Sequence, residues 1–597
     1  MAPRYCIGID LGTTNSVLAF ASLDESEAMI GVLPIPQISA PGSVEARLSL
    51  PSFWYLPSAM DGSLLVPGFR GQQGVVGEYA RNIAAEQPER VVTAAKSWLC
   101  HAGIDRQSPI LPWQSDADLD LVSPVAASAA ILEHLIDAWT ARFPNDPFSE
   151  QQVVLTVPAS FDAAARELTR KAALSVGFPE SFLFLEEPQA ALYNWVHAHG
   201  KHWRRDLQLG DVLLVVDVGG GTTDLTLVRV ESEGGDLVLH RLAVGNHLLV
   251  GGDNMDLALA HVASELFADK GAKLNPWQAM SLWHACRAAK ETLLGSSGPE
   301  THPLTVLGRG SRLIGGTITA TLERQAVEEV LVDGFFPRAS RESRPRESST
   351  SGFHEFGLPF ASDTAITRHL AAFLQDNVES EGNANAGIEN GTHRITHLLL
   401  NGGVFNATVF RDRLLEVLAS WQPGKPTPIL LGGIEDLDQA VACGAAYYGW
   451  ARLHGGVRIR GGTARSYYIG IETAGPSVPG LPRPLQALCV VAQGTEEGTE
   501  HDVSSRPIGL KVGQRSRFRF FSSNVRQGDR PGTVLKSWDE HELQETSPLE
   551  VQFSAEGSDP IIPVRFHSRI TELGVFELYC RSTTSNEHWK LELNVRE

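Results

Sequence analysis

Two segments constrain what this chain can fold into more than any others. "VVDVGGGTTDLTLV" runs from Val215 to Val228: an apolar strand ends in Asp217, three glycines and two threonines follow, and the apolar pattern resumes after Asp224. Alone, this reads as a generous hairpin turn, since glycine reaches backbone conformations closed to other residues. "YCIGIDLGTTNSVLAF", Tyr5 to Phe20, repeats the arrangement, with Asp10 at the strand end and Gly12, Thr13 and Thr14 in the turn. The two aspartates stand 207 residues apart, which predicts a duplicated unit. A second pair matches: "SFLFLEEPQAALYNWV" (Ser181–Val196) and "THLLLNGGVFNATVFRDRLLEVL" (Thr396–Leu418) each read as strand, turn, helix. Each unit is expected to open with a hairpin and end with strand, turn and helix. Two such units facing each other put four turns around one cleft.

Polyphosphate chemistry suits this arrangement. Successive backbone N–H groups in glycine-rich turns form concave nests for phosphate oxygens, and threonine hydroxyls add donors. Carboxylates at the strand ends cannot face bare phosphate, and they fit if Mg²⁺ and its waters lie between. The chain has no G-x-x-x-x-G-K-[ST] and no strand–G-x-G-x-x-G–helix unit, which excludes a Walker-type loop and a dinucleotide fold. With 597 residues it exceeds one hydrophobic core. Its net charge of −20 argues against a general nucleic-acid or anionic-membrane binder. The six cysteines are scattered and form no C-x-x-C, so they read as buried hydrophobes in a reducing compartment. No signal peptide and no bilayer-length apolar run is read, which leads to an expected cytoplasmic location, with the sequons at Asn390 and Asn406 as chance matches.

With both hairpins quoted, the chain resembles the seventy-kilodalton heat-shock chaperones, the DnaK family. Further segments lie in the family's order. "VVGEYA" and "VTAAKSWL" resemble the stretch bearing the catalytic lysine, here Lys96. "LTVPASFDAAARELTRKAA" resembles that of the switch proline and arginine, here Pro158 and Arg166. "LEEPQAAL" carries Glu187, and "LVGGDNMD" a further glycine turn with Gly251 and Gly252. "ACRAAKETLL", "NGGVF" and "DLDQAVACGAA" sit where the family builds its adenosine pocket. The resemblance spans roughly residues 5–450. It implies an α/β actin-like two-lobed ATPase domain followed by an all-β sandwich domain, with boundaries at 1–455, 456–466 for the linker and 467–597. It implies ATP/ADP and Mg²⁺ as cofactors. Asp10 and Asp217 would hold Mg²⁺ through water. Thr13, Thr14, Asn15 and Thr222, with the turns at Gly12, Gly219, Gly220 and Gly221, would take the phosphates. Lys96 would neutralise charge on the γ-phosphoryl group, while Glu187 and Asp217 orient the attacking water. Gly251, Gly252, Lys290, Gly402, Gly403 and Asp438 would complete the nucleotide pocket. Implied partners are unfolded or extended peptide segments or one dedicated client, with a co-chaperone and a nucleotide-exchange factor, and no nucleic acid or membrane.

The sequence departs from the family in places. Arg287 stands where the family usually has a ribose-contacting glutamate, and Leu294 where it has a serine. A cation there either alters nucleotide affinity or is absorbed by a neighbouring carboxylate. Residues 337–352 and 379–391 read as mobile loops, with the helical stretch "SDTAITRHLAAFLQDNV" between them, capped by Ser362 or Asp363. His197, His199 and His202 cluster but lack other ligands at metal-site spacing. Beyond residue 455 short alternating segments read as all-β, and no helical lid follows. The linker "GVRIRGG" is basic where the family's is leucine-rich and acidic, so it is expected to dock weakly. A nucleotide-switched scaffold for one partner and an actin-like small-molecule kinase remain alternative readings.

Overall fold

The computed structural model describes residues 3–593 except 59–60, 62–63, 71–73, 102–103, 114, 116–117, 247, 307–317, 347–357, 359, 378–387, 390–391, 433–435, 458, 461, 464, 474–483, 497, 512–514, 527, 540–541, 553–560, 572–575 and 586. Two six-stranded sheets carry the repeated hairpins. In the first, Leu183–Glu186, Gln152–Val157, Tyr5–Leu11, Asn15–Ser22 and Ile30–Val32 lie side by side, with Leu50–Pro51 also on Asn15–Ser22. In the second the order is Ile429–Leu430, His397–Asn401, Val212–Val218, Thr223–Glu233, Asp236–Val244, Ile459–Arg460. Each hairpin is antiparallel, and each first arm takes a parallel neighbour on its other side. That neighbour explains the unbroken apolar runs. A parallel strand is covered on both faces, so its residues do not alternate, and "VLLVVDV" is buried throughout.

The duplication differs in detail from the sequence reading. Leu183–Glu186 was matched with His397–Asn401. His397–Asn401, however, pairs directly with Val212–Val218, whereas Leu183–Glu186 lies one strand further out, on Gln152–Val157. The equivalent of His397–Asn401 is therefore Gln152–Val157. Both candidates read as strand, turn and helix, so local pattern cannot choose between them.

The sheets have separate cores. Around the first, Ile7, Ile9, Leu155 and Trp139 belong to one apolar cluster; around the second, Val216, Leu225, Phe267 and Leu400 belong to another. The helix Leu437–His454 lies on the first sheet and against the helix Glu187–His199. Two glycines allow that approach. A Cβ at Gly8 meets the backbone of Ala442 and Ala446, and one at Gly444 meets the Ala190 carbonyl.

The last part is all β. Among the described residues it has nine antiparallel strands, running in the order Glu500–Lys511, Ile561–Ile570, Phe576–Ser582, His588–Leu593, Gln544–Gln552, Arg515–Ser523, Ser466–Glu472, Leu485–Val491, Val534–Leu535. Val490 and Val564, far apart in that order, share one core, and Ser568 Oγ donates to the Val490 carbonyl at 2.6 Å, so the sheet folds back on itself. The longest strand, Glu500–Lys511, escaped the sequence reading. Pro507 and a register shift between Val503 and Ile508 break its alternation.

Two other expectations change. Ile459–Arg460, within the presumed linker, is a strand: it pairs in parallel with Leu239–His240, Ile459 N–H donates to the Tyr193 hydroxyl at 2.9 Å, and Arg460 meets Glu233 at 2.9 Å. The basic segment docks because an acidic residue awaits it. Residues 337–346 are held rather than loose: Arg338 pairs with Glu416 at 2.8 Å, Arg344 with Asp376 at 2.7 Å, and Gln375 caps the Arg341 carbonyl at 2.7 Å. The rest of that stretch, 347–352, lies outside the described residues, as do 379–387 and 390–391 of the second presumed loop. The helix between them runs Ile366–Asp376, with Asp363 accepting from Ala365 N–H at 3.0 Å and gripping Arg368.

Alanine usually outperforms glycine in a helix by about 1 kcal/mol. At Gly444 the sign reverses, because the added methyl overlaps the Ala190 carbonyl. Gly444→Ala is expected to destabilise the chain by about 1–3 kcal/mol in urea denaturation; an unchanged or higher midpoint would contradict the close packing of these helices.

Candidate functional site

The two hairpin tips face each other. A Cβ at Gly220 collides with the Thr14 hydroxyl, and one at Gly221 collides with the Ser97 hydroxyl and lies 3.1 Å from Thr13. Between the sheets opens a cavity of about 390 Å³. Of the residues singled out in the sequence, Asp10, Gly12, Thr13, Thr14, Asn15, Lys96, Glu187, Asp217, Gly219, Gly220, Thr222, Gly252, Arg287, Lys290, Gly402, Gly403 and Asp438 line it. Gly221 and Gly251 stand behind the wall. Gly221 is the back of its turn, and Gly251 abuts the carbonyls of Gly219 and Gly220, 2.7 and 2.6 Å from where its Cβ would lie. Their role is to let the turns come together.

The two aspartates occupy matching positions. Each ends the first arm of its hairpin, and each is held by a polar side chain on the parallel neighbour. Thr156 Oγ1 donates to Asp10 Oδ1 at 3.1 Å, and Asn401 Nδ2 donates to Asp217 Oδ2 at 2.9 Å. Lys96, from the short helix Ala95–Trp98, reaches Glu187 at the start of its helix in a direct ion pair, both side chains buried. Asp224, on the second arm opposite Asp217, is buried nearby and accepts from Ser160 N–H at 3.1 Å.

Charge dominates this end of the cleft. Burial, only partly offset by Lys96, pushes Asp10 up to about 7. Burial, reinforced by Glu187 and Asp224, holds Asp217 well above the usual carboxylate range, and burial with Glu187 lifts Asp224 to about 6. For Lys96 burial acts downward, but Glu187 and Asp10 more than offset it and raise it. Four carboxylates, three of them buried and Asp10 half-buried, thus share one ammonium. Asn401 Oδ1 is buried with no hydrogen-bond partner. A surplus of hard oxygen donors short of positive charge is the donor set that suits Mg²⁺, so the residues present fit that ion.

The other end is balanced. Arg287 does not reach freely into the cavity. Its Nε donates to Asp256 Oδ2 at 2.9 Å, its Nη2 donates to Asp253 Oδ1 at 2.5 Å, and its guanidinium lies 5.3 Å from the Phe53 ring centre. Lys290 meets Asp256 at 2.7 Å and donates to the Gly252 carbonyl at 2.9 Å. Of the two alternatives read at this position, the cation is absorbed by neighbouring carboxylates. Arg81, Asp253, Asp256, Glu291 and Asn401 also line the cavity without having been singled out, and Asn406, noted only as a chance sequon, lines it too. For Asp253 and Asp256 a signal existed: "DNMD" places them three apart on one helical face. Among the described residues no group of histidines, cysteines and carboxylates could hold a metal in the clustered sense, His197 and His199 instead meeting the Ala28 and Trp195 carbonyls.

Comparison with known proteins follows the same line. A family model described as Hsp70 protein matches residues 65–341. The chain is 32% identical over 274 residues to the chaperone protein HscA of Enterobacter sp. strain 638, covering 44% of this chain and 38% of that protein. It is 31% identical over 342 residues to the HscA homolog of Methylococcus capsulatus, covering 55% and 46%. The chain thus spans less than half the length of these curated relatives. The match implies the actin-like ATPase fold. Over these residues the chain is similar to the Hsp70-type family.

Two consequences are measurable. Asp10 binds its proton more tightly folded than unfolded, so its contribution favours folding fully below about 4 and is lost as pH rises through about 7. Asp10→Asn, neutral at every pH, should therefore melt above wild type at pH 8 in EDTA and lose that advantage by pH 4; an equal or lower melting temperature at pH 8 would contradict the burial argument. Arg287→Ala leaves two buried carboxylates short of a partner and is expected to cost about 3–5 kcal/mol in chemical denaturation, which a loss below 1 kcal/mol would disprove.

Proposed function

We propose that residues 1–455 form a two-lobed actin-like ATPase that binds ATP or ADP with Mg²⁺ and hydrolyses ATP to ADP and phosphate. Residues 456–466 connect it to a β-sandwich unit at 467–597, whose hold on an unfolded or extended peptide segment, or on one dedicated client, follows the nucleotide state. A co-chaperone and a nucleotide-exchange factor belong to this reading, and the cytoplasm is its compartment. Among the described residues no helix is long and apolar enough to cross a membrane. The supporting observation is the meeting of two glycine-rich hairpins, each with an aspartate near the end of its first strand, across a cavity that also holds the Lys96–Glu187 pair.

Each residue's work follows from its place. Thr13, Thr14 and Thr222, with the amides of the two turns, donate to phosphate oxygens in place of water. Asp10 and Asp217, fixed by Thr156 and Asn401, would hold a bound Mg²⁺ through water, and that ion would supply charge neutralisation between carboxylates and phosphates. Lys96 remains an ammonium because Glu187 and Asp10 raise it, so it can offset charge spreading onto the transferred group. Glu187, held by Lys96, and Asp217 orient water for in-line attack. Positioning and electrostatics supply most of the rate in such reactions.

Steady-state assays should find ATP turnover that requires Mg²⁺ and yields ADP. Lys96→Ala should lower kcat by roughly 10²–10³-fold with a smaller change in nucleotide binding. Turnover that survives in EDTA, or in the Lys96 variant at the wild-type rate, would remove the assignment.

A further inference from the structure

The wall of the cavity changes character along the helix Pro276–Leu293. Arg287 and Lys290 belong to a closed set of charges with Asp253 and Asp256. One turn further on, the capping residue Leu294 is apolar, and Val404, Phe410 and Val441 line the cavity with it, all four buried. A flat, weakly polar group suits such a wall, and in a nucleotide that group is the base. The polar side chains beside the wall are then the groups that can tell one base from another. Glu291 is already taken, in an ion pair with Arg81. Asp438 and Asn406 are not. Both line the cavity, and neither side chain has a hydrogen bond or an ion pair among the described residues.

The two lie around one short turn. Asp438 Oδ1 stands 3.3 Å from where a Cβ on Gly403 would be, and Asn406 ends the turn that Gly403 begins. Asp438 is half-buried. Burial, with Asp436 and Glu291 nearby and only Arg81 opposing, lifts it above the usual carboxylate range. A carboxylate withdrawn from water without a donor is an incomplete hydrogen-bonding group, and a ligand that completes it must bring N–H groups. Two adjacent N–H groups on one edge match the two oxygens of a carboxylate in a bidentate pair. Among the common bases guanine alone carries that pattern, with N1–H beside the 2-amino group and the O6 acceptor next to them. Adenine offers one amino group beside the lone pair of N1, which a carboxylate repels. Asn406 has an amide donor for O6.

We propose that Asp438 and Asn406 read the base and that this cavity takes guanine nucleotides at least as tightly as adenine nucleotides. The inference rests on the nucleotide reading above and widens its substrate class. The hairpin turns and the aspartates meet only the phosphate end of a ligand, so they serve either base.

The test is isothermal titration calorimetry of the full chain with Mg²⁺ and four ligands: ADP, GDP, inosine diphosphate and xanthosine diphosphate. The Kd for GDP should be no greater than that for ADP. Inosine diphosphate lacks only the 2-amino group and should bind about tenfold or more weakly than GDP, the worth of a hydrogen bond to a charged group. Asp438→Asn exchanges an acceptor for a donor. It should weaken GDP by about tenfold or more and tighten xanthosine diphosphate, whose 2-oxo group accepts that donor, while ADP binding does not fall. Asn406→Ala should weaken GDP by about two- to tenfold. A merely structural role for Asp438 would weaken all four ligands alike. Circular dichroism melting establishes that each variant is folded. Should Asp438→Asn fail to fold, the wild-type comparison of GDP with inosine diphosphate decides. Weaker binding of GDP than of ADP, equal Kd values for GDP and inosine diphosphate, a uniform loss in folded Asp438→Asn, or an unchanged GDP Kd in Asn406→Ala would overturn the base assignment while ADP binding keeps the site. Binding of none of the four by the wild-type chain would remove the nucleotide reading itself, and the base assignment with it.

Discussion

One ion pair organises the cleft. Lys96 and Glu187 come from segments 91 residues apart and meet where the two halves converge. Around them Asp217 and Asp224 are buried and Asp10 is half-buried, so the ammonium is the nearest compensation for four carboxylates. Desolvating so many like charges is unfavourable unless each is hydrogen-bonded or paired. The structure answers with Thr156 on Asp10, Asn401 on Asp217 and the Ser160 amide on Asp224. Each donor sits on the strand or turn next to its carboxylate. The sheet register that pairs Asp217 with Asn401 is therefore also what makes the buried charge tolerable.

The chain neighbour of Glu187 looks the other way. Glu186 ends its strand and takes Arg166 Nη2 at 3.0 Å on one oxygen and Arg241 Nη1 on the other. Arg241 also donates to the Gly462 carbonyl. Gly462 has φ +53°, and a Cβ there collides with Gly494, inside the all-β unit. Asn524 of the same unit donates to the Val244 carbonyl at 3.3 Å. Two consecutive carboxylates at one strand–helix junction thus face opposite surfaces, one the cleft and one the connection to the all-β part. Neither glutamate can turn without breaking an ion pair.

Much of this was legible in the sequence because it is local. A glycine–threonine turn between two apolar runs specifies its hairpin wherever it occurs, and the repeat of Asp10 in Asp217 marked the two strand ends that face the cavity. What escaped was non-local or disguised. The order of strands across a sheet cannot be read from segments that share one pattern, so Leu183–Glu186 was matched with the wrong partner. Glu500–Lys511 was hidden by Pro507 and a bulge. Arg81 and Glu291 carry no motif, and only folding brings them together. The linker was misjudged on its own charge alone, whereas the relevant quantity is the charge it meets, Glu233.

Arg287 makes the same point in the pocket itself. Judged by position, a cation in place of an anion alters what a ligand would meet. Judged by surroundings, it completes a closed set: Asp253 and Asp256 on one helix, Arg287 and Lys290 on the next, two charges of each sign within hydrogen-bonding distance. Such a set presents little net field to the cavity. At the hairpin end the count is four carboxylates to one ammonium. The cleft is thus electrically asymmetric, balanced along the helix Pro276–Leu293 and carrying a surplus of carboxyl groups over cations where the two turns meet. On the proposed reading, a bare polyanion would be disfavoured at this end, and the turns would take phosphate only together with a divalent cation, so the glycine turns and the aspartates would act as parts of one device.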